Sequence, residues 1–502
     1  MTAQRFDVVV VGSGAGGGTV AARLGELANQ GRSVLVLERG PRFLDADFTG
    51  RELDMAGELY ADGGGFLTAD GTMTLAFARG YGGSTIVYTG TSIIAPERVI
   101  REWDLPGLDH AELARRSARY IGENSVHLLP DDLINENNRL FVEGAAKAGV
   151  HAEQFPLNLK GCRGSSLCNL GCPNAAKQGT NRVQLPAAER AGVTVVTRAE
   201  VVRLAERRLT VRVTARPAGG KGTDPEWAPG DYEIEAGIVV LAAGAIGTPA
   251  LLLGSGLAGL PARVGHGFTA HPALILVGEH GRPIVNDVGH PKSYFIDRAE
   301  QDGFVLETCM YFPFVTAKNM TGFGAGHGAM LQAFSRLQMI LVLACDHATA
   351  DNRVAIDREG QPVVHYRFTD RVIESLARAT RMATAIFFGA GAIRVHAPLA
   401  NPPFIERANA GMADRLIGPE HFLPGVTSIS SAHLMGGAGM GSSATASVTD
   451  SWGRVHGRPW LRVADASLFP DSLEINPYLT IMALADRVAD GILSDLGAGG
   501  PG

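Results

Sequence analysis

The chain has 502 residues, 45% of them apolar, which allows about two to four domains with real cores and excludes a coil-only polypeptide. Its 45 basic and 51 acidic side chains give a formal charge of −6 without long runs of one sign; this speaks against a nucleic-acid surface or a polybasic membrane patch and points to a small-molecule partner. The 5 cysteines are too few and too clustered for a secreted disulfide framework, no apolar run reaches membrane-spanning length, and a first strand expected by residue 6 leaves no room for a leader, so the expectation is a cytoplasmic protein without a membrane segment.

Phe6-Asp7-Val8-Val9-Val10-Val11 reads as a buried strand, followed by a glycine-rich turn, a helical stretch, and a second strand, Val34-Leu35-Val36-Leu37, ending at Glu38. Within the turn, Gly12, Gly14 and Gly17 form a Gly-x-Gly-x-x-Gly pattern. Gly12 turns the chain, Gly14 admits a pyrophosphate to the backbone, and Gly17 lets helix and strand pack closely. The helix start offers unpaired N–H groups to phosphate, and Glu38 can accept hydrogen bonds from ribose hydroxyls. Dinucleotide binding follows; the motif does not separate FAD from NAD.

A second glycine-rich stretch, Arg79 to Gly90, contains Gly82, Gly83, Ser84 and Thr85. Glycine there permits close approach to a flat ring, and the two hydroxyls can donate to a phosphate or a ring edge; an ordinary tight loop would look the same. A plain nicotinamide dehydrogenase does not need this stretch. Pro96 to Gly149 reads as mostly helical, with Trp103 and Tyr120 as packing residues. Cys162, Cys168 and Cys172 nearly match a ferredoxin-type cysteine run, with Ser165 at the second position. Three thiolates could hold an iron-sulfur cluster, but the preferred reading is a loop pinned by buried thiols, because no fourth ligand is evident. No residue is assigned to a metal.

Val193 to Leu253 alternates short strands and turns, with a polar hairpin tip at Pro217 to Gly230, and then runs from a buried strand into Ala242-Ala243-Gly244 and a helix. Ala243 and Gly244 are a second place where a dinucleotide could meet backbone. From 266 to 430 the pattern is one of strands, suggesting a mainly antiparallel layer that roofs the cofactor. Within it Glu307 could bind a cationic or hydroxyl-rich substrate, or be a solvated rim residue. His271, flanked by Pro272, is set aside as structural. The last seventy or so residues contain Ser431-Ala432-His433, the strand Val463-Ala464-Asp465, and Ile475-Asn476-Pro477-Tyr478, which reads as a histidine and an asparagine delivered to one buried point.

In this order the motifs resemble those of the glucose-methanol-choline oxidoreductases, FAD enzymes that oxidise alcohols. The likeness runs through Gly12 to Glu38, Gly80 to Gly90, Leu241 to Pro249, Val264 to Pro272 and His433 to Arg487, with the cholesterol oxidase branch most similar around His433, Gly453, Asp465 and Asn476. The cysteine run is similar to that of bacterial sugar dehydrogenases and long-chain alcohol oxidases of the family. The resemblance implies FAD at the first motif, Gly82 to Thr85 near the flavin, and Asp465 near its ribityl and pyrophosphate portion. It also implies His433 and Asn476 facing the flavin ring, with Pro477 beside them. One departure is Tyr88, where many members carry Asn.

An alcohol loses a hydride from carbon and a proton from oxygen, so the site needs an electron acceptor and a base poised near neutral pH; histidine suits the second task. The expectation is hydride transfer to flavin N5, His433 as the base, and Asn476 orienting the substrate oxygen. The substrate is a small alcohol of sugar-like, aminoglycoside-like or lipid-like character, and the final acceptor is oxygen or an electron carrier. The alternative is a non-redox flavoprotein of the same fold, such as a lyase or a binding protein. The expected fold is α/β: a discontinuous Rossmann-like FAD domain at 1–265 and 431–502, with an inserted segment near 96–180, and an α+β substrate domain at 266–430 on a mainly antiparallel sheet.

Overall fold

The computed structural model describes residues 4–399 and 404–497. The first strand, Gln4–Val11, pairs in parallel with Gly230–Leu241 on one side and with Val34–Leu37 on the other. Further out on one edge lies Thr194–Val196, and on the other Arg458–Val463, from the far end of the chain, pairs in parallel with the end of Gly230–Leu241. Strands buried on both faces read as unbroken apolar runs, which explains Val8 to Val11 and Ile238 to Leu241. Each such valine contributes about 1.5–3 kcal/mol by leaving water. The helix Ala15–Asn29 makes the crossover between the first two strands. The turns at Gly12, at Ala242 and at Ala464 therefore all emerge at the carboxyl ends of neighbouring parallel strands, where open α/β sheets bind their ligands.

The second sheet has nine strands, and its central pairs, Ala273–Glu279 with Leu337–Ala344 and the latter with Phe304–Thr308, are antiparallel. It is mixed rather than purely antiparallel, because Met73–Leu75 and Ile429–Ser431 pair in parallel at one edge. It also takes in Glu153–Gln154 beside Tyr294–Arg298. The two faces of the pleat have different duties. Leu274, Leu276, Ile296, Phe304, Leu306, Ile340 and Val342 pack against a helix, Asp370–Gly389, which presents Val372, Leu376, Ala379, Ala383 and Ile386. The opposite face carries Phe295, Val305, Glu307 and Leu343 towards a cavity beneath the sheet.

That 20-residue helix supplies the α part of the expected α+β domain, in a stretch whose sequence pattern reads mostly as strands. Its apolar positions recur with helical spacing, Thr369 caps its start by accepting from the Val372 N–H at 3.3 Å, and a sheet of this width needs a cover. The hairpin Arg353–Ile356 with Pro362–His365 forms a two-stranded sheet of its own. From 96 to 149 the helices Glu97–Glu102, His110–Glu123 and Glu136–Lys147 match the expected helical pattern.

The last helix, Tyr478–Asp495, is bolted to the first. Buried Asp486 accepts from Arg23 at 2.5 Å and from the Tyr120 hydroxyl at 2.6 Å, and pairs with Arg116. Burial opposes its charge, but Tyr120 and Arg23 win and hold the Asp486 carboxyl below the usual range. Tyr120 is thus a hydrogen-bonding anchor as well as a packing residue, while Trp103 packs on Phe469 at 5.4 Å.

Candidate active site

Two helix starts without a side-chain cap or an early acidic residue meet the carboxyl ends of the parallel strands, Ala15–Asn29 behind Gly14 and Tyr478–Asp495 behind Pro477, while between them in the chain Gly244–Gly254 has its first N–H already taken by Asp465. Such ends carry partial positive charge and free N–H groups, the features an anion needs. Gly12, at φ +98°, leaves no room for a side chain, since a Cβ would lie 2.3 Å from the Ala242 carbonyl oxygen. At Gly17 a Cβ would lie 2.0 Å from the Gly12 oxygen. Gly14 is different. Its Cβ would meet nothing nearer than the Gly83 Cα, 3.9 Å away, so that glycine faces a groove rather than packed chain. Gly244 likewise opens to space, with nothing within 4 Å.

The motif residues around this groove divide into two groups. Glu38 is buried and accepts from the Ser13 hydroxyl at 2.6 Å, the Ser13 N–H at 3.0 Å and the Gly40 N–H at 2.8 Å, tying the first turn to the second strand. Asp465 accepts from the Gly244 N–H at 2.8 Å, the Thr248 hydroxyl at 2.5 Å and the Ser467 N–H at 2.8 Å, so it braces the second helix start. Burial raises its carboxyl, and these donors oppose the shift. Gly82 and Gly83 bring their loop against Gly14, whereas Ser84 is exposed and accepts from the Ala78 N–H at 3.1 Å. The Thr85 hydroxyl turns inward and donates to the Gly82 carbonyl at 2.7 Å, so it holds the loop and is not offered to a ring edge. Tyr88 packs on Tyr478 with ring centres 4.7 Å apart and planes tilted by 50°, and Asn158 donates to its hydroxyl. It backs the Asn476 segment without bonding to His433.

His433 and Asn476, 43 residues apart in the chain, are brought together: the Asn476 Nδ2 lies 3.1 Å from the His433 Nε2. An amide nitrogen only donates, so this ring nitrogen is the acceptor. On the other side of the ring, His433 Nδ1 lies 3.0 Å from His271 Nδ1, and His271 Nε2 lies 3.0 Å from the Ser472 hydroxyl. Burial drives the His433 imidazole well below its ordinary pKa, with His271 and Lys292 pushing the same way. Burial also takes His271 down to about 3. Both rings are neutral at physiological pH.

His433, Asn476 and His271 line a narrow, tightly packed cavity. Ile93, Phe295, Val305, Leu343 and Ile475 supply apolar wall, and Glu307 supplies a carboxylate. Glu307 is 1% exposed and paired with Lys292, which rules out a solvated rim. Sequence reasoning set His271 aside and had no signal for Ser472 or Lys292, since nothing in spacing places those three beside His433.

Cys162, Cys168 and Cys172 line one separate cavity together with His290. Burial raises the Cys162 thiol and pushes Cys168 up to about 12, and among the described residues no group of three or more His, Cys, Asp or Glu side chains is placed to hold a metal ion. Lys177 locks this loop to the Tyr88 stretch, donating to the carbonyls of Ile86, Tyr88 and Cys168 at 2.6, 2.7 and 2.7 Å. No described helix is long and apolar enough to cross a membrane.

Family models described as GMC oxidoreductase match residues 56–273 and 348–485. An uncharacterized GMC-type oxidoreductase of Mycobacterium tuberculosis is 33% identical over 496 residues, covering 97% of this chain and 75% of that one. The long-chain-alcohol oxidase FAO4B of Arabidopsis thaliana is 26% identical, over 98% of this chain and 68% of its own length. Among solved structures, pyridoxine 4-oxidase from Mesorbium loti superposes with a TM-score of 0.70 at 19% identity, covering 97% of this chain and 99% of that one, a likeness of fold.

Proposed function

The chain belongs to the GMC oxidoreductase family and is an FAD-dependent alcohol oxidoreductase, and from that premise we propose that His433 is the base that deprotonates the substrate hydroxyl. The uncapped helix start behind Gly14 and the open faces of Gly14 and Gly244 fit a dinucleotide pyrophosphate, while Glu38 and Asp465 brace the turns that would hold it. Bound FAD supplies the two-electron acceptor for the hydride of the carbinol carbon.

The observation that carries the reading is the pair of contacts at His433. With Asn476 donating to Nε2, the ring proton sits on Nδ1 and points at His271, and the Nε2 lone pair faces the Asn476 amide at the cavity wall, where a substrate hydroxyl can slip between the two. A substrate oxygen entering there donates its proton to Nε2 and accepts from the Asn476 amide, which fixes its orientation. Burial keeps His433 neutral and therefore able to act as a base across the physiological range. The apolar wall suits an alcohol with a substantial carbon skeleton, and Glu307 suits a second polar group on it.

The test is an anaerobic screen of long-chain, aromatic, sugar and amino-sugar alcohols against the yellow holoprotein. Bleaching of the flavin band by one class supports the reading and names the substrate class. A flavin that dithionite reduces but no alcohol does would instead favour a non-redox flavoprotein. Readmitting oxygen to the bleached sample separates an oxidase, which regains colour at once, from a dehydrogenase, which waits for a carrier.

A further inference from the structure

Two hollows lie on either side of His271. One is the cavity containing His433 and Asn476; the other is a surface cleft of about 490 Å³ lined by Ser472, Asp471, His347 and Glu474. Ser472 is 2% exposed, with its hydroxyl 3.0 Å from His271 Nε2. Asp471 and His347, joined at 2.9 Å, are 39% and 32% exposed in their side chains and so meet solvent. The contacts from His433 to Ser472 thus form a file of polar atoms between the cavity and the cleft, beside the buried carboxylate of Glu474, which lines both.

This file accepts its protons in two ways on one set of heavy-atom positions. In the first, His433 donates from Nδ1 to His271 Nδ1, and His271 donates from Nε2 to Ser472 Oγ. In the second, His271 donates from Nδ1 to His433 Nδ1, Ser472 donates to His271 Nε2, and His433 carries its proton on Nε2, which requires the Asn476 amide to turn its oxygen toward the ring. Both rings are neutral in each arrangement, so no buried charge persists, and only the Asn476 amide has to turn over. The arrangements differ by one proton shifted along every link, and a neutral His433 with a free Nε2 lone pair exists only in the first.

We propose that His271 and Ser472 form a proton wire that carries the substrate's hydroxyl proton from His433 to the Asp471–His347 cleft. The inference rests on His433 acting as the base. Stepwise, the substrate O–H bond breaks as N–H forms at His433 Nε2, and the His433 Nδ1 proton passes to His271 Nδ1. The His271 Nε2 proton then passes to Ser472 Oγ, and the serine's own proton leaves to water in the cleft, where Asp471 and His347 exchange it with bulk. One proton enters and one leaves. His433 and His271 end with their protons on the opposite nitrogens; a proton returning from the cleft resets them by expelling the His433 Nε2 proton into the cavity, so release to the cleft is transient and belongs to the alcohol-oxidising half of the cycle. Histidine 271 is buried, uncharged and hydrogen-bonded at both nitrogens to side chains, an arrangement that packing alone does not require.

Two measurements test this. The first needs no substrate: ¹⁵N NMR of histidine-labelled holoprotein reads the tautomers directly. The wire requires His433 protonated on Nδ1 and His271 on Nε2, and Ser472→Ala should redistribute the His271 tautomers. Both rings protonated on Nε2 would leave nothing between the two Nδ1 atoms and would overturn the proposal. The second is anaerobic mixing with 1-octanol or benzyl alcohol in weak buffer containing a pH-indicator dye. Ser472→Ala should delay proton release by about tenfold relative to wild type, with recovery on adding imidazole as a diffusible carrier and in Ser472→Thr. Release as fast in Ser472→Ala as in wild type would sink the wire. If neither alcohol bleaches the wild-type flavin, that bears on the choice of substrate and on the alcohol reading itself, while the tautomers still decide the wire.

Discussion

The glycine cradle at Gly12 to Gly17 and the imidazole corner at His433 are the two halves of the proposed active site, and they are made in opposite ways. The cradle works with backbone: helix N–H groups, tight turns and missing side chains, all drawn from a short stretch of chain. The corner works with side chains from three distant segments, at His271, His433 and Ser472 to Asn476, aligned through hydrogen bonds of 3.0 to 3.1 Å. A cradle must hold an anion still, for which rigid local geometry suffices. A base must accept and lose a proton, which takes neighbours chosen for their donor and acceptor patterns. The lesson is that binding can be damaged without touching chemistry, and chemistry without touching binding.

The variant His433→Ala separates the two most sharply. Flavin should stay bound, with an unchanged visible spectrum, while stopped-flow reduction by alcohol slows by about two to three orders of magnitude. Loss of the flavin itself from this variant would merge the two regions and break the distinction. In the opposite direction, Gly14→Val should fold, because its side chain enters open groove, but should bind FAD about a hundredfold more weakly, or about 2.7 kcal/mol, in a fluorescence titration. An unchanged affinity would remove Gly14 from the cradle. For Asn476→Ala we expect about a tenfold slower reduction at saturating alcohol, the worth of one orienting hydrogen bond at about 1.4 kcal/mol. A change confined to KM would make Asn476 a binding group only.

The smallest expected effect is a slope. His271, His290 and His396 are held near 3, 4 and 4 by burial, against an unfolded value of about 6.5. Below 6.5 the unfolded chain binds protons that the native protein refuses, so stability is full above that pH and falls as pH drops through the window towards 4. Each histidine contributes up to about 1.4 kcal/mol per pH unit there, and denaturant titrations at pH 7 and 5 should show the loss. In His271→Gln, if it folds, the slope should be shallower by one histidine's share; an equal slope would mean that His271 titrates normally.

Legibility follows the same division. The strand–turn–helix at Gly12, the acid at Glu38, the paired motifs at His433 and Asn476, and the strands of the second sheet could all be read along the chain. Three things could not. Thr85 looked available to a cofactor, but its hydroxyl closes its own loop on Gly82. Glu307 looked equally like rim or pocket until Lys292, near in sequence but on another segment, was seen to pair with it. The helix Asp370–Gly389 lay within a region dominated by strand patterns, although its apolar spacing is helical.

The amino-acid order by itself determined which backbone is free to turn tightly, which runs must be buried, and which polar residues end them, because these depend on steric freedom and hydropathy within a few residues. Only the folded chain decided that His271 touches His433 and that Ser472 opens on a second hollow. Those contacts join positions 162 and 201 residues apart, and their distances arise from the packing of two sheets, which no local preference encodes.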